Sequence, residues 1–346
     1  MKSFAYLLAV FVSLSVFAPV NVDARDLLKK VQKRGLLRCG VRSVDFPGFL
    51  VRQPDGSYVG FDADFCRGIA AAIFANTTQV QFVPVPLAER FQSVREGGVD
   101  VYIGGVTQTL SRDALVKDGG EGTNFGPVFF YDGQSFLVGA EITVDPDDDP
   151  VSLLDGKTVC VRQNTTSEIN LHDFALDHNI TIIEFTDASA GSSGDTFTDF
   201  EQFKCDAISS DRAGLFSRQS GLTRPSTLMN AMISEEPLAP VVAMGAKRER
   251  FEHVVRWVVY ATFAAEELGI NGGNVGVIPA NAEGRRLLGY TPGLGEKLGL
   301  GNDWALQVIA HVGNYQEIYE RNLSGLPRGK NTLPSAGGLL FSPPFQ

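Results

Sequence analysis

The feature that most limits what this chain can fold into is a strand–helix–strand rhythm that occurs twice. In the first half, the apolar stretch Leu36–Val41 leads to an amphipathic run from about Ala63 to Phe74. Gln79–Val85, Glu89–Glu96 and Val99–Gly104 then read as strand, helix and strand. Short apolar runs bounded by turn residues read as buried strands, and runs with a 3.6-residue period read as helices. The second half repeats the pattern, with strands at Thr158–Arg162, Ile180–Glu184 and Ala207–Ser209 and helices at Thr166–Leu176 and Phe197–Phe203. Such alternation lays helices on the faces of a mainly parallel sheet. Two units in tandem predict an α/β protein of two lobes, each a mixed, mainly parallel sheet flanked by helices, with a cleft between them. At 346 residues the chain is long enough for both lobes.

The remaining segments fit around that frame. Asp26–Lys33 reads as a helix stopped by Gly35, Pro54-Asp55-Gly56 as a turn, and Phe251–Leu268 as a long helix. Asp145–Pro150, Ala188–Gly194 and the glycine-rich Lys117–Asn124 read as loops. Leu323–Gln346 has many Gly and Pro and little periodicity, so it is expected to wrap the surface or to be partly disordered.

The first 24 residues have a separate character. Lys2 precedes an apolar run from Phe4 to about Val20, and Val22-Asp23-Ala24 offers small residues at a cleavage site. We read 1–24 as a signal peptide and expect a periplasmic or secreted protein; an uncleaved anchor helix is the alternative. In an exported chain the four cysteines suggest disulfides. Cys39–Cys66 and Cys160–Cys205 are the expected pairs, since each would staple one lobe; four buried free thiols are the alternative. No C-x-x-C pair supports a metal site. The net charge of −10 argues against a nucleic-acid partner.

Three strand ends carry candidate binding chemistry. After strand Val99–Gly104 come Gly104-Gly105 and then Thr107-Gln108-Thr109-Leu110-Ser111-Arg112-Asp113. Gly105 lets backbone approach a ligand, Thr107 and Thr109 supply hydroxyls, and Arg112 can take a carboxylate bidentately. A helix cap followed by a surface arginine is the plain alternative. The second is Arg162-Gln163-Asn164-Thr165-Thr166, where a helix N-terminus offers free N–H groups to an anion, or Thr165 or Thr166 simply caps the helix. The third is Ser209-Ser210-Asp211-Arg212, where an acid can meet an ammonium or cap a helix. Together an arginine, a helix N-terminus and an acid match the two charges of a free amino acid. Catalytic readings are thin. His172, His178, His253 and His311 lie in no nucleophile motif, no Walker loop or H-E-x-x-H occurs, and no cofactor is implied.

At these residues the chain resembles the bacterial family 3 extracellular solute-binding proteins, in particular the general L-amino-acid-binding periplasmic proteins of polar amino acid ABC transporters. The similarity runs through nearly the whole mature chain. It is carried by Gly60-Phe61-Asp62-Ala63-Asp64-Phe65-Cys66, Glu89-Arg90-Phe91, Tyr131-Asp132-Gly133-Gln134 and Glu236-Pro237-Leu238. Leu298-Gly299-Leu300, Asn302-Asp303-Trp304-Ala305, Val312-Gly313-Asn314-Tyr315 and Glu320-Arg321-Asn322 continue it. The resemblance implies a type II periplasmic-binding-protein-like fold, with lobe 1 from 25–131 and 237–346 and lobe 2 from 132–236. It also implies a monomer that closes by a hinge on a free amino acid and passes it to an ABC transporter permease. Carried over by position, Arg112 would clamp the α-carboxylate, helped by the backbone N–H of Thr166. Thr107 and Asp211 would hold the amino group, and Phe46 would lie against the ligand side chain. Where relatives have Ser-Arg-Asn-Thr-Thr-Trp-Thr, this chain has Ile103-Gly104-Gly105-Val106-Thr107-Gln108-Thr109, and Asn164 replaces a usual glycine. Four sequons occur, at Asn76, Asn164, Asn179 and Asn322, and a glycan on Asn164 would crowd the pocket. Two other functions share the fold: a dehydratase resembling cyclohexadienyl dehydratase, using Glu89 or Asp211 as general acid or base, and a ligand-sensing ectodomain.

Overall fold

A computed structural model describes residues 26–113, 123–245 and 247–346. The expected signal peptide and residues 117–122 of the glycine-rich stretch lie outside the described residues. Thirteen strands are present among those described. They are β1 Leu37–Arg42, β2 Val51–Arg52, β3 Tyr58–Val59, β4 Val80–Val85, β5 Val101–Tyr102, β6 Thr123–Phe125 and β7 Phe130–Gly139. β8 Thr158–Val161, β9 Ile183–Thr186, β10 Ala207–Asp211, β11 Ser226–Leu228, β12 Ser234–Leu238 and β13 Val241–Ala243 follow.

These strands form two main sheets. One has the order β4-β1-β5-β13-β6; the other runs β11-β7-β10-β8-β9, with β12 also paired to β7. The parallel ladders β1–β4, β1–β5, β8–β9 and β8–β10 are the two strand–helix–strand units. Antiparallel strands extend each sheet: β13 and β6 in the first, β7 with β11 and β12 in the second. The architecture is therefore two-lobed and mixed, and the parallel core of each sheet is the part that hydrophobic periodicity announces.

Helix boundaries follow local chemistry. Leu27–Arg34 starts at Asp26, whose carboxylate accepts from Leu28 N, and stops at Gly35 with φ 67°. Phe61–Phe74 begins two residues before Ala63 because Gly60 turns the chain sharply at φ 127°. A Cβ at Gly60 would come 2.2 Å from Phe49 O, so only glycine fits there. Phe61 and Phe65 then enter an aromatic core with Phe49, Phe129, Phe130 and Tyr315, all at most 2% exposed. Asn164 has φ 59°, the left-handed conformation that asparagine tolerates. Strand β9 starts at Ile183 rather than Ile180, because Thr181 N is taken by Asp155 Oδ1 at 2.9 Å.

Disulfides join Cys39 of β1 to Cys66 of the Phe61–Phe74 helix, and Cys160 of β8 to Cys205 just before β10. Each crosslink ties a strand to an element packed on the same sheet. The C-terminal segment after Leu323 has only one 3-10 turn, Pro334–Ala336, yet it is pinned. Asn331 Oδ1 accepts from Tyr131 N at 2.6 Å and its Nδ2 donates to Tyr131 O at 2.9 Å. Phe345 packs edge-on against Trp257, with ring centroids 5.0 Å apart. No helix among the described residues is long and apolar enough to cross a membrane.

Candidate functional site

Four strand ends meet between the sheets. β1 ends in Arg42, β5 runs into Gly104–Thr109, β8 into Arg162–Thr166, and β10 ends in Asp211. Carboxyl ends of parallel strands are where open α/β sheets leave room for ligands. Here they enclose a cavity of ≈ 70 Å³ walled by Arg42, Arg90, Gly105, Thr107, Arg112, Arg162, Thr166 and Asp211, among others. A larger hollow of ≈ 490 Å³ lies beside Pro47-Gly48 and Phe216, but no charged side chain lines it. Size therefore points to one place and chemistry to another; a charged ligand needs the second.

Arg112 lies on the short helix Leu110–Asp113. Its Nη1 donates to Thr107 O at 2.9 Å, and its guanidinium stands 5.9 Å from the centre of the Phe91 ring. Burial pushes its pKa down, and Glu236 and Asp211 push back. Thr107 and Thr166 come from different sheets, yet their hydroxyls are 3.2 Å apart. Thr165, not Thr166, caps the helix Thr166–Asp177, accepting from Glu168 N at 3.3 Å. This leaves Thr166 in the first turn, where backbone N–H groups have no intrahelical acceptor. The Thr166 hydroxyl also reaches Glu236 Oε2 at 3.2 Å. Glu236 is buried and held by Asn170 Nδ2 at 2.7 Å and Ser234 Oγ at 3.0 Å.

Asp211 precedes the helix Arg212–Gln219 but does not cap it with its side chain. Asp132 does this instead: its Oδ1 accepts from Ala213 N at 3.1 Å. The carboxylate of Asp211 is thereby left to the cavity, 3.7 Å from Arg42 Nη2. Burial raises Asp211 to about 6, against the pull of Arg42 and with a push from Glu236. Burial and the Asp211 charge hold Asp132 well above the usual carboxylate range.

Gly105 has φ 61°, and a Cβ there would sit 2.2 Å from Arg42 Nη2. Arg42 donates from Nε to Gly104 O at 2.8 Å and occupies the space that a side chain at 105 would need, whereas a Cβ at Gly104 would meet the Tyr102 ring and hydroxyl. The absence of a side chain at Gly105 and the presence of Arg42 are thus one packing solution. Phe46 is not on the cavity wall. It is buried behind Arg42, whose guanidinium lies 4.1 Å from its ring centre, and a Cβ on Gly214 would meet its ring at 2.4 Å. It braces Arg42 and the facing helix. Glu89 is exposed outside the cavity. Arg42, Arg90, Arg162 and Glu236 were not singled out as site residues from sequence. Arg42 and Arg162 end parallel strands, a signal that could have found them; Arg90 and Glu236 reach the site through tertiary packing.

The bacterial extracellular solute-binding proteins, family 3, match residues 37–180. The general L-amino acid-binding periplasmic protein AapJ of Rhizobium johnstonii is 34% identical, over 92% of this chain and 92% of its own. The chain belongs to the family 3 solute-binding proteins. The glutamate/glutamine/aspartate/asparagine-binding protein BztA of Rhodobacter capsulatus is 36% identical, over 98% of this chain and 99% of its own. Among solved structures, an ABC transporter periplasmic binding protein from Brucella ovis with glutathione bound superposes with a TM-score of 0.85. It is 32% identical and covers 93% of this chain and 99% of its own. This family 3 member is an extracytoplasmic solute-binding protein rather than an enzyme.

Proposed function

We propose that this protein binds one free amino acid in the cavity between its sheets, closes over it, and delivers it to an ABC transporter as a monomer. The observation that carries this reading is the opposition of charge across the cavity. Arg112 stands on one wall and Asp211 on the other, with Thr107 and Thr166 meeting between them at 3.2 Å. Arg112 takes the α-carboxylate together with the first-turn N–H of Thr166, while Asp211 and Thr107 take the ammonium. Residues 25–131 and 237–346 act as lobe 1 and 132–236 as lobe 2. The chain crosses twice, and the two crossings run side by side, with Tyr131 paired to Pro237 and Asp132 to Glu236. A two-strand connection bends readily without breaking either sheet, as in hinge closure of periplasmic binding proteins. A ligand touching both lobes favours the closed state by the contacts it makes only there. AapJ and BztA, named for binding amino acids, support the ligand class.

The test is thermal unfolding of the purified protein with each of the twenty amino acids at millimolar concentration. At least one must raise the midpoint, since a ligand bound only to the folded state stabilises it by mass action. No shift with any of them would remove the proposal.

A further inference from the structure

The cavity holds more guanidinium groups than one amino acid's backbone can use. Arg42 has Asp211 at 3.7 Å, and Arg162 has Asp187 at 3.7 Å. Arg90 and Arg112 make no ion pair within 4.0 Å to any carboxylate among the described residues. Arg112 is matched by the ligand's α-carboxylate in the reading above. Arg90 is then left over. It lines the cavity, is only 7% exposed, and among the described residues its guanidinium makes one hydrogen bond, from Nη1 to Leu87 O. Its guanidinium lies 4.7 Å from the centre of the Phe91 ring, on whose other contact Arg112 sits at 5.9 Å. Both guanidinium groups thus lie within cation–π reach of one ring.

A buried cation without a counter-charge is costly, and the cost falls when an anion arrives with fixed geometry. Burial and the neighbouring Arg112, Arg42 and Arg162 charges lower Arg90 to about 10, so it stays charged at neutral pH. Two of the buried acids of this region are committed. Glu236 is tied up by Asn170, Ser234 and Thr166, and Asp132 caps a helix. A zwitterion with a neutral side chain would close the cavity with Arg90 still uncompensated.

We propose that the ligand carries a second carboxylate, which Arg90 receives, so that the site selects acidic over neutral amino acids. This rests on the amino-acid reading above and adds its specificity. The side-chain amide of glutamine or asparagine has one acceptor oxygen and no charge. A site built for a charged partner rejects the analogue that lacks it, because the buried group stays unmatched.

Calorimetric titration of the purified protein with L-glutamate, L-glutamine, L-aspartate and L-asparagine tests this directly. The better acid is expected to bind at least tenfold more tightly than its own amide. Arg90→Gln is expected to bring that ratio to within about threefold, whereas Arg112→Ala weakens acid and amide alike. A ratio below tenfold in the unmodified protein overturns the proposal while leaving amino-acid binding intact. A preserved ratio in Arg90→Gln also overturns it. Should Arg90→Gln not fold, Arg90→Lys keeps the charge and must keep an acid preference of at least fivefold, or the proposal fails. Absence of binding by every amino acid sinks the functional reading and this inference together.

Discussion

Arg112 is fixed before any ligand arrives, by its bond to Thr107 O at 2.9 Å and by the face of Phe91. Removing it takes away a charge-assisted pair and leaves a carboxylate unmatched in a buried place. Arg112→Ala is expected to weaken binding of the amino acid at least tenfold in a calorimetric titration; unchanged affinity would take Arg112 out of the site. Asp211 carries a pH dependence of definite sign. Burial raises it to about 6, while Arg42 and Arg112 pull it down and Glu236 pushes it up; Asp132 faces it as a second acid. An ammonium bound beside it favours the ionised form, so binding releases a proton near that pH. Affinity is expected to fall as pH drops from 7 to 5 and to be level above 7. Asp211→Asn should abolish the slope, and a titration series across that range reads it. At this scale much of the cavity was legible. Thr107, Gly105, Arg112 and Thr166 follow strands and Asp211 ends one, and strand ends are visible in sequence. An alignment position does not say what stands in front of Phe46; in the structure Arg42 does. Arg90 was invisible as a site residue because its route to the cavity runs through the packing of Phe91 and Leu87.

The elements that hold these residues are stapled and strapped separately. The Cys39–Cys66 and Cys160–Cys205 bonds close segments of 27 and 45 residues. Constraint of the unfolded chain makes each worth about 3–4 kcal/mol. Neither crosses between the sheets. Reduction is therefore expected to lower the thermal midpoint by several degrees while changing ligand affinity less than threefold where the protein stays folded. A large affinity loss on reduction would show that a disulfide shapes the cavity itself. The tail acts on a different place. Asn331 gives Tyr131 both backbone bonds that a neighbouring strand would supply, just where the chain leaves the first sheet. Asn331→Ala leaves two backbone groups without partners and is expected to cost about 2 kcal/mol in chemical denaturation. A loss under about 0.5 kcal/mol would mean that water replaces the side chain. The tandem strand–helix units were readable because their apolar periods are regular. Strand β7 was not, since Asp132-Gly133-Gln134 interrupts its apolar run at the crossing, where Asp132 is needed as a cap. The tail's path was also hidden, because single side chains such as Asn331 and Phe345 fix it without any period.

For the whole molecule, the two lobes meet through a few polar contacts, the packing of Phe46 on the facing helix and one pair of crossing strands. Thr107 with Thr166, Arg42 with Asp211, and Arg218 Nη2 with Asp45 O at 2.7 Å span the cleft. Each is a hydrogen bond or ion pair that water can replace in an open form. The clusters around Phe136 and Phe200 stay within one lobe, while the aromatic core around Phe61 reaches across to Ala213 beside Phe46. Opening the cleft therefore has to part the contact of Phe46 with Ala213 and Gly214 as well as the polar links, and a ligand that touches both sides supplies contacts that favour closure. Small-angle X-ray scattering with and without the amino acid that gives the largest thermal shift tests this most directly. The account predicts that saturation lowers the radius of gyration and brings the profile onto the one calculated from the closed arrangement described here. A profile identical with and without a ligand that clearly stabilises the protein would contradict it.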